Sequence, residues 1–178
     1  MDHSHPNDVF IKAGGVEVEK PPLIIDGDKT LSGTHSGSVC VHDGTLTIVR
    51  GATLNRSLTV QPSAHVAIHG VHNGSLTIGS SATGEVLGAQ NGSVHVEANG
   101  ALRVAIGGRL AGSLTVAGQI ENAGLRGGTV TKIGGKSSTS LGRRLRNHSA
   151  AQMERTSFVG RSAPRRVLKS LLAAKHRL

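Results

Sequence analysis

Ser57-Leu58-Thr59-Val60, Ser75-Leu76-Thr77-Ile78 and Ser93-Val94-His95-Val96 follow one another at spacings of 18 residues, and their reading decides the fold. Two tetrads of the same form, Ser38-Val39-Cys40-Val41 and Ser113-Leu114-Thr115-Val116, flank them at spacings of 19 and 20 residues. In each, aliphatic residues alternate with one intervening residue. That period of two belongs to a strand with one buried face. A turn-like pair stands before the serine, as in Asn55-Arg56, Asn73-Gly74, Asn91-Gly92 and Ala111-Gly112. Asn and Gly tolerate the left-handed conformation that a sharp corner can require. Further alternating stretches lie between the tetrads: Leu46-Thr47-Ile48, Val66-Ala67-Ile68 and Leu102-Arg103-Val104-Ala105-Ile106.

A unit of 18–20 residues cannot enclose a core, but a stack of such units can, because like residues then lie above like. The spacing therefore predicts an all-β fold: a single short β-solenoid of about five repeats, with Val39/Val41, Leu58/Val60, Leu76/Ile78, Val94/Val96 and Leu114/Val116 as inward ladders. A meander of antiparallel hairpins would give a similar pattern of short strands. The constant phase of the tetrads favours the solenoid. The solenoid is expected over residues 23–135, with residues 1–22 as an N-terminal extension or cap and residues 136–178 as a basic linker and amphipathic helix. Unpaired strands at the two ends of such a stack invite pairing with another chain, so self-association is expected.

Composition narrows the function. Phe10 and Phe158 are the only aromatic residues, so the core must be built from Val, Ile, Leu and Ala. The single cysteine, Cys40, can form neither an internal disulfide nor a metal site by itself. No apolar run approaches the roughly 20 residues that span a bilayer. The opening MDHSHPNDVF has neither a basic n-region nor an apolar h-region, so a cytoplasmic location is expected.

With the aliphatics inward, Cys40, Thr59, Thr77, His95 and Thr115 are expected to face outward beside the column of serines. This array resembles the Thr-x-Thr faces of ice-binding solenoids, with Ser-x-Thr in three coils and interruptions at Cys40 and His95. Thr and Ser also suit strands and corners without any ligand. His65, His69 and His72 fall close together and His3 and His5 lie at the start, yet no carboxylate or cysteine completes a ligand set, so solvent-facing histidines and no metal are expected. The acids Asp26, Asp28, Asp43, Glu85, Glu97 and Glu121 occupy non-repeating phases. General acid–base or glycosidic chemistry needs a pair at defined separation. No catalytic residue, no cofactor and no enzyme activity are expected.

Charge is concentrated in the tail. Residues 136–178 hold eleven basic residues against Glu154 alone, whereas residues 1–135 hold nine basic and ten acidic, so the formal +9 belongs to the tail. The tail begins as a Gly/Ser linker, and Ser162-Ala163-Pro164 reads as a helix start. Beyond it, Leu168, Leu171, Leu172 and Leu178 fall largely on one side and Arg165, Arg166, Lys169, His176 and Arg177 largely elsewhere. The expected partner-binding residues are Arg143, Arg144, Arg146, Arg161, Arg165, Arg166, Leu168, Lys169, Leu171, Leu172, Lys175 and Arg177. An anionic membrane, DNA or an acidic protein groove would each suit them.

The Gly-rich coils over residues 23–134, with their repeated Gly/Asn-Ser-aliphatic-x-aliphatic tetrads and flanking tails, resemble bactofilins, bacterial cytoskeletal proteins. The resemblance implies a right-handed solenoid that polymerises end to end into nucleotide-free filaments, acting as a scaffold near the envelope or chromosome. The basic C-terminal tail is not a hallmark of that family. The expected function is thus a non-catalytic scaffold that self-associates through its solenoid and recruits an anionic partner through its tail. The alternative is a discrete dimeric regulatory or antitoxin-like protein, and a carbohydrate-active or ice-binding solenoid is a more distant third.

Overall fold

The structure, a computed structural model, describes residues 6–134 and 136–139. It is a parallel β-solenoid of about six turns, preceded by a β-hairpin. The hairpin pairs β1 (Asp8–Ile11) with β2 (Glu17–Lys20) antiparallel. Each turn of the solenoid then lays one strand on each of three faces.

The first face carries the tetrads: β3 (Leu23–Asp26), β6 (Val39–Asp43), β9 (Leu58–Val60), β12 (Leu76–Ile78), β15 (Val94–Val96), β18 (Leu114–Val116) and β21 (Val130–Lys132). The second holds β4 (Lys29–Leu31), β7 (Thr45–Ile48), β10 (His65–Ile68), β13 (Thr83–Val86), β16 (Ala101–Val104), β19 (Gln119–Asn122) and β22 (Lys136–Thr139). The third is made of two-residue strands: β5 (Thr34–His35), β8 (Thr53–Leu54), β11 (Val71–His72), β14 (Ala89–Gln90), β17 (Arg109–Leu110) and β20 (Leu125–Arg126). All pairing between turns is parallel, which excludes the hairpin meander. The second face continues across residue 135, since β22 pairs with β19.

The alternation fixes which side chains are buried. On the first face, Leu23, Val39, Leu58, Leu76, Val94, Leu114 and Val130 form one inward column. Ile25, Val41, Val60, Ile78, Val96 and Val116 form the next, which ends on the exposed Lys132. Inward residues of the second face, among them Leu46, Ile48, Val66, Ile68, Leu102 and Val104, complete one continuous aliphatic core. The ladder runs over seven strands on the first face rather than five. The outermost two were not visible as tetrads because Pro22 and Thr129 replace the serine.

The backbone at the serine position joins successive turns. Its carbonyl accepts the N–H of the second tetrad residue of the preceding turn, as in Leu58 N to Ser75 O at 2.8 Å and Leu76 N to Ser93 O at 2.9 Å. The glycine before it lies where successive turns approach most closely. A Cβ at Gly92 would overlap the carbonyl of Gly74, and one at Gly74 would overlap that of Arg56. Neither glycine has a positive φ; close approach, not left-handed backbone, requires it there. The non-glycine left-handed residues Ser63 (φ 69°), Ser81 (φ 60°) and Asn99 (φ 64°) lie between the first and second faces, and Gly51 (φ 85°) and Gly107 (φ 89°) supply left-handed corners between the second and third.

Candidate functional site

Four surfaces can be weighed: the outer columns, the buried polar pair inside, the hairpin seat and the two ends of the stack. On the first face the outward column reads Ile24, Cys40, Thr59, Thr77, His95, Thr115, Thr131. Its register is the expected one, but Cys40 is buried at 2 % exposure. It lies beside a cavity lined also by Pro6, Asn7, Asp8, Pro22 and Arg56, and Gln61 Nε2 donates to its Sγ at 3.7 Å. Burial pushes the Cys40 thiol above its ordinary pKa. On the second face an outward ion ladder spans three turns, with Arg103 at 2.5 Å from Glu85 and 4.0 Å from Glu121. All three side chains are partly or largely exposed, so the ladder offers little stability, and its two carboxylates against one guanidinium leave it net negative.

The expectation of solvent-facing histidines fails at His72. It is fully buried in the inward column of the third face, between Leu54 and Gln90. Its Nε2 lies 2.7 Å from the carbonyl of Arg56, and its Nδ1 lies 2.6 Å from Gln90 Oε1. Gln90 Nε2 donates to the carbonyls of Gly74 (2.8 Å) and Gly92 (3.2 Å), which fixes its amide. Both ring nitrogens of His72 thus face oxygen acceptors. A neutral ring donates to one of them and only a protonated ring to both, but burial outweighs the two hydrogen bonds and lowers the pKa of His72. The period-two signal that found the other inward residues misses it, because the third-face strands are two residues long. His65 and His69 are exposed as expected, and among the described residues no group of three or more His, Cys, Asp or Glu could hold a metal ion.

The hairpin seat is polar. Asp8, only 6 % exposed, accepts from Ser38 N at 2.5 Å and from Ser38 Oγ at 2.7 Å, and it pairs with Arg56 at 3.5 Å. Arg56 also donates to Val9 O at 2.8 Å, and its guanidinium covers the Phe10 ring at 4.7 Å. These contacts seat β1 against the corner before β6 and β9.

Among the described residues, the three ladders have two ends. β3, β4 and β5 are the terminal strands at one end; β20, β21 and β22 are terminal at the other. Leu23 and Val130, the two ends of one inward column, are each only half-buried. The ends differ in charge. The first turn, residues 23–35, carries Asp26 and Asp28 against Lys29; residues 125–139 carry Arg126, Lys132 and Lys136 with no carboxylate. The tail residues expected to bind a partner, from Arg143 to Arg177, lie outside the described residues.

Among the described residues, the features best suited to recognition are the ends of the three ladders. Comparisons with protein families, curated proteins and solved structures find no match to this chain.

Proposed function

We propose that the protein is a non-catalytic scaffold that self-associates through the ends of its solenoid and recruits an anionic partner through its basic tail. The observation that carries this reading is that, among the described residues, all three parallel ladders end in strands with a neighbour on one side only. Such strands present a row of backbone donors and acceptors that a second solenoid can continue. The half-buried Leu23 and Val130 add apolar surface that a joint would bury. The likeness of the coils to bactofilins supports the same reading, with filaments as its strongest form. Eleven cations against one carboxylate in residues 136–178 support recruitment of an anionic surface.

Electron microscopy and concentration-dependent sedimentation of the full chain test the scaffold. Filaments or open-ended oligomers are expected, and a monomer at every concentration would remove the proposal. Duplex DNA and vesicles with and without anionic lipid test the tail. Binding to one of them should weaken steeply with salt and with Arg165→Gln/Arg166→Gln/Lys169→Gln. Salt-insensitive binding, or none to either, would point to a protein partner or to no recruitment at all.

A further inference from the structure

We infer that the outward face of the β1–β2 hairpin is a docking surface for a basic amphipathic helix of a partner protein. Such a surface is independent of the stack ends and of the tail, and of the scaffold reading built on them.

The hairpin has two unlike faces. Its register pairs Asp8 with Lys20 and Phe10 with Val18 on one side, and Val9 with Glu19 and Ile11 with Glu17 on the other. The first side is the seated one. Asp8 and Phe10 meet Ser38 and Arg56, and Lys20 Nζ lies 5.5 Å from the centre of the Phe10 ring. On the second side the usual pattern is inverted. An antiparallel pair with one covered face normally turns its aliphatics inward and its charges to water. β1 instead buries Asp8 and exposes Val9 at 43 % and Ile11 at 74 %. Six large hydrophobic residues are exposed among the described residues, and this one short hairpin supplies Val9, Ile11 and Val16. In the seat Val9 serves through its carbonyl, which any residue would supply, so its exposed side chain is left for another contact.

The outward face is ordered by column. Val9 and Ile11 make an aliphatic column along β1, and the exposed Glu17 and Glu19 make a carboxylate column beside it along β2. A neutral donor, Asn7 Nδ2, reaches Glu19 Oε2 at 3.0 Å. Among the described residues neither glutamate is in an ion pair, and no strand residue of this face is cationic. A matching ligand must therefore set an apolar stripe beside a stripe of cations.

Geometry selects a helix. One extended strand shows a surface a single row of side chains, since alternate residues point away. An α-helix shows adjacent rows: residues four apart rise about 6 Å and stand one above the other, with a flanking row beside them. Positions two apart on a strand are separated by about 6.6 Å. Leucines at i and i+4 thus fall over Val9 and Ile11, while lysines or arginines one row aside fall on Glu19 and Glu17. A helix about 10 Å wide also covers both strands. Charge separates this occupant from the others. A second copy of the hairpin would set glutamates against their like, and an anionic lipid surface would repel the same carboxylates.

Fluorescence anisotropy on the full chain tests the surface. The probe is a synthetic peptide of about 18 residues, long enough to form a helix, with leucines at i, i+3, i+4 and i+7 and lysines on the flanks. A scrambled peptide of the same composition is the control. The formal +9 of the whole chain repels a cationic ligand, so binding has to be local. Saturable binding of the ordered peptide is expected, at least about tenfold tighter than that of the scrambled one and weakened by salt. Glu17→Lys/Glu19→Lys and Val9→Ser/Ile11→Ser should each weaken it at least about tenfold. Glu85→Gln/Glu121→Gln, on the second face, should leave it unchanged. The rate of Cys40 modification in the same samples shows whether the hairpin is still seated, and if a double variant loosens it, Glu17→Lys alone should still weaken binding about threefold. Absent binding, equal binding of the two peptides, or binding that follows Glu85 and Glu121 rather than Glu17 and Glu19 would overturn the assignment. So would capture of neutral lipid vesicles in place of the peptide.

Discussion

At the scale of single residues, the narrowest tolerances lie where one turn crosses the next. Gly92 sits so close above Gly74 that any β-carbon meets a backbone carbonyl, which cannot rotate away as a side chain could. Gly92→Ala is expected to cost about 2–4 kcal/mol, measured as loss of chemical-denaturation stability. An unchanged midpoint would mean the turns are spaced more widely than described. His72 and Gln90 are the other demanding pair. Because burial lowers the His72 pKa, the unfolded chain binds a proton that the folded chain resists. Stability is then full above the unfolded value of about 6.5 and falls as pH drops below it, by at most about 1.4 kcal/mol per pH unit. Denaturation midpoints at pH 7.5 and 5.5 measure this. His72→Leu/Gln90→Leu would extend the apolar column of Leu54 and Leu110 but strips the donors from the carbonyls of Gly74 and Gly92, and should cost about 1–3 kcal/mol at pH 7.5. The His72 contribution to the acid-side slope should vanish with it.

At the scale of elements, the strand and the hairpin behave differently. The parity of the tetrads could be read directly, because period-two alternation leaves one way to bury Val94 and Val96 together. Val94→Asp places an unpaired carboxylate in a column where the native side chain is 3 % exposed, and a loss of at least about 4 kcal/mol is expected by thermal or urea unfolding. Other elements left weaker traces. The two-residue strands of the third face are too short to show a period, and their inward positions include Gln90 and His72, the latter read as solvent-facing. The seat of β1 was illegible for another reason: Asp8 finds Ser38 and Arg56 across 30 and 48 residues, a match no local pattern encodes. Asp8 accounts for most of the polar contacts of that seat. Asp8→Ala should weaken hairpin docking by about 1.5–3 kcal/mol, the range for hydrogen bonds to a charged group, and raise the open population roughly 10- to 100-fold. Cys40 reports it. Its reaction with a soluble disulfide reagent should quicken by a similar factor, and an unchanged rate would place the Cys40 shield elsewhere than in the hairpin segment.

At the scale of the whole molecule, the sequence carried the distribution of charge but not its arrangement in space. The near-neutral balance of residues 1–135 was plain from counting. That Asp26 and Asp28 gather at one end of the stack and Lys132 and Lys136 at the other needed the registers of the first and second faces. The partner-binding residues read from Arg143 to Arg177 remain a proposal about sequence, and the salt dependence of recruitment is their measure.

The regular spacing of the turns also has a kinetic consequence. Most non-local pairings join residues 16 to 20 positions apart, whether at the base of the stack or near its top. Relative contact order, about 0.1 for a chain of this length, is then closer to that of helical bundles than of sandwiches, despite an all-β architecture. Each new turn closes a loop of the same length, so the chain-entropy cost per turn does not grow as the stack rises. Folding should therefore start wherever two turns first pair, most readily among the aliphatic-rich central coils, and extend towards both ends one turn at a time. Amide exchange would record this as protection falling stepwise from β12 and β15 outward, with the terminal turns opening first.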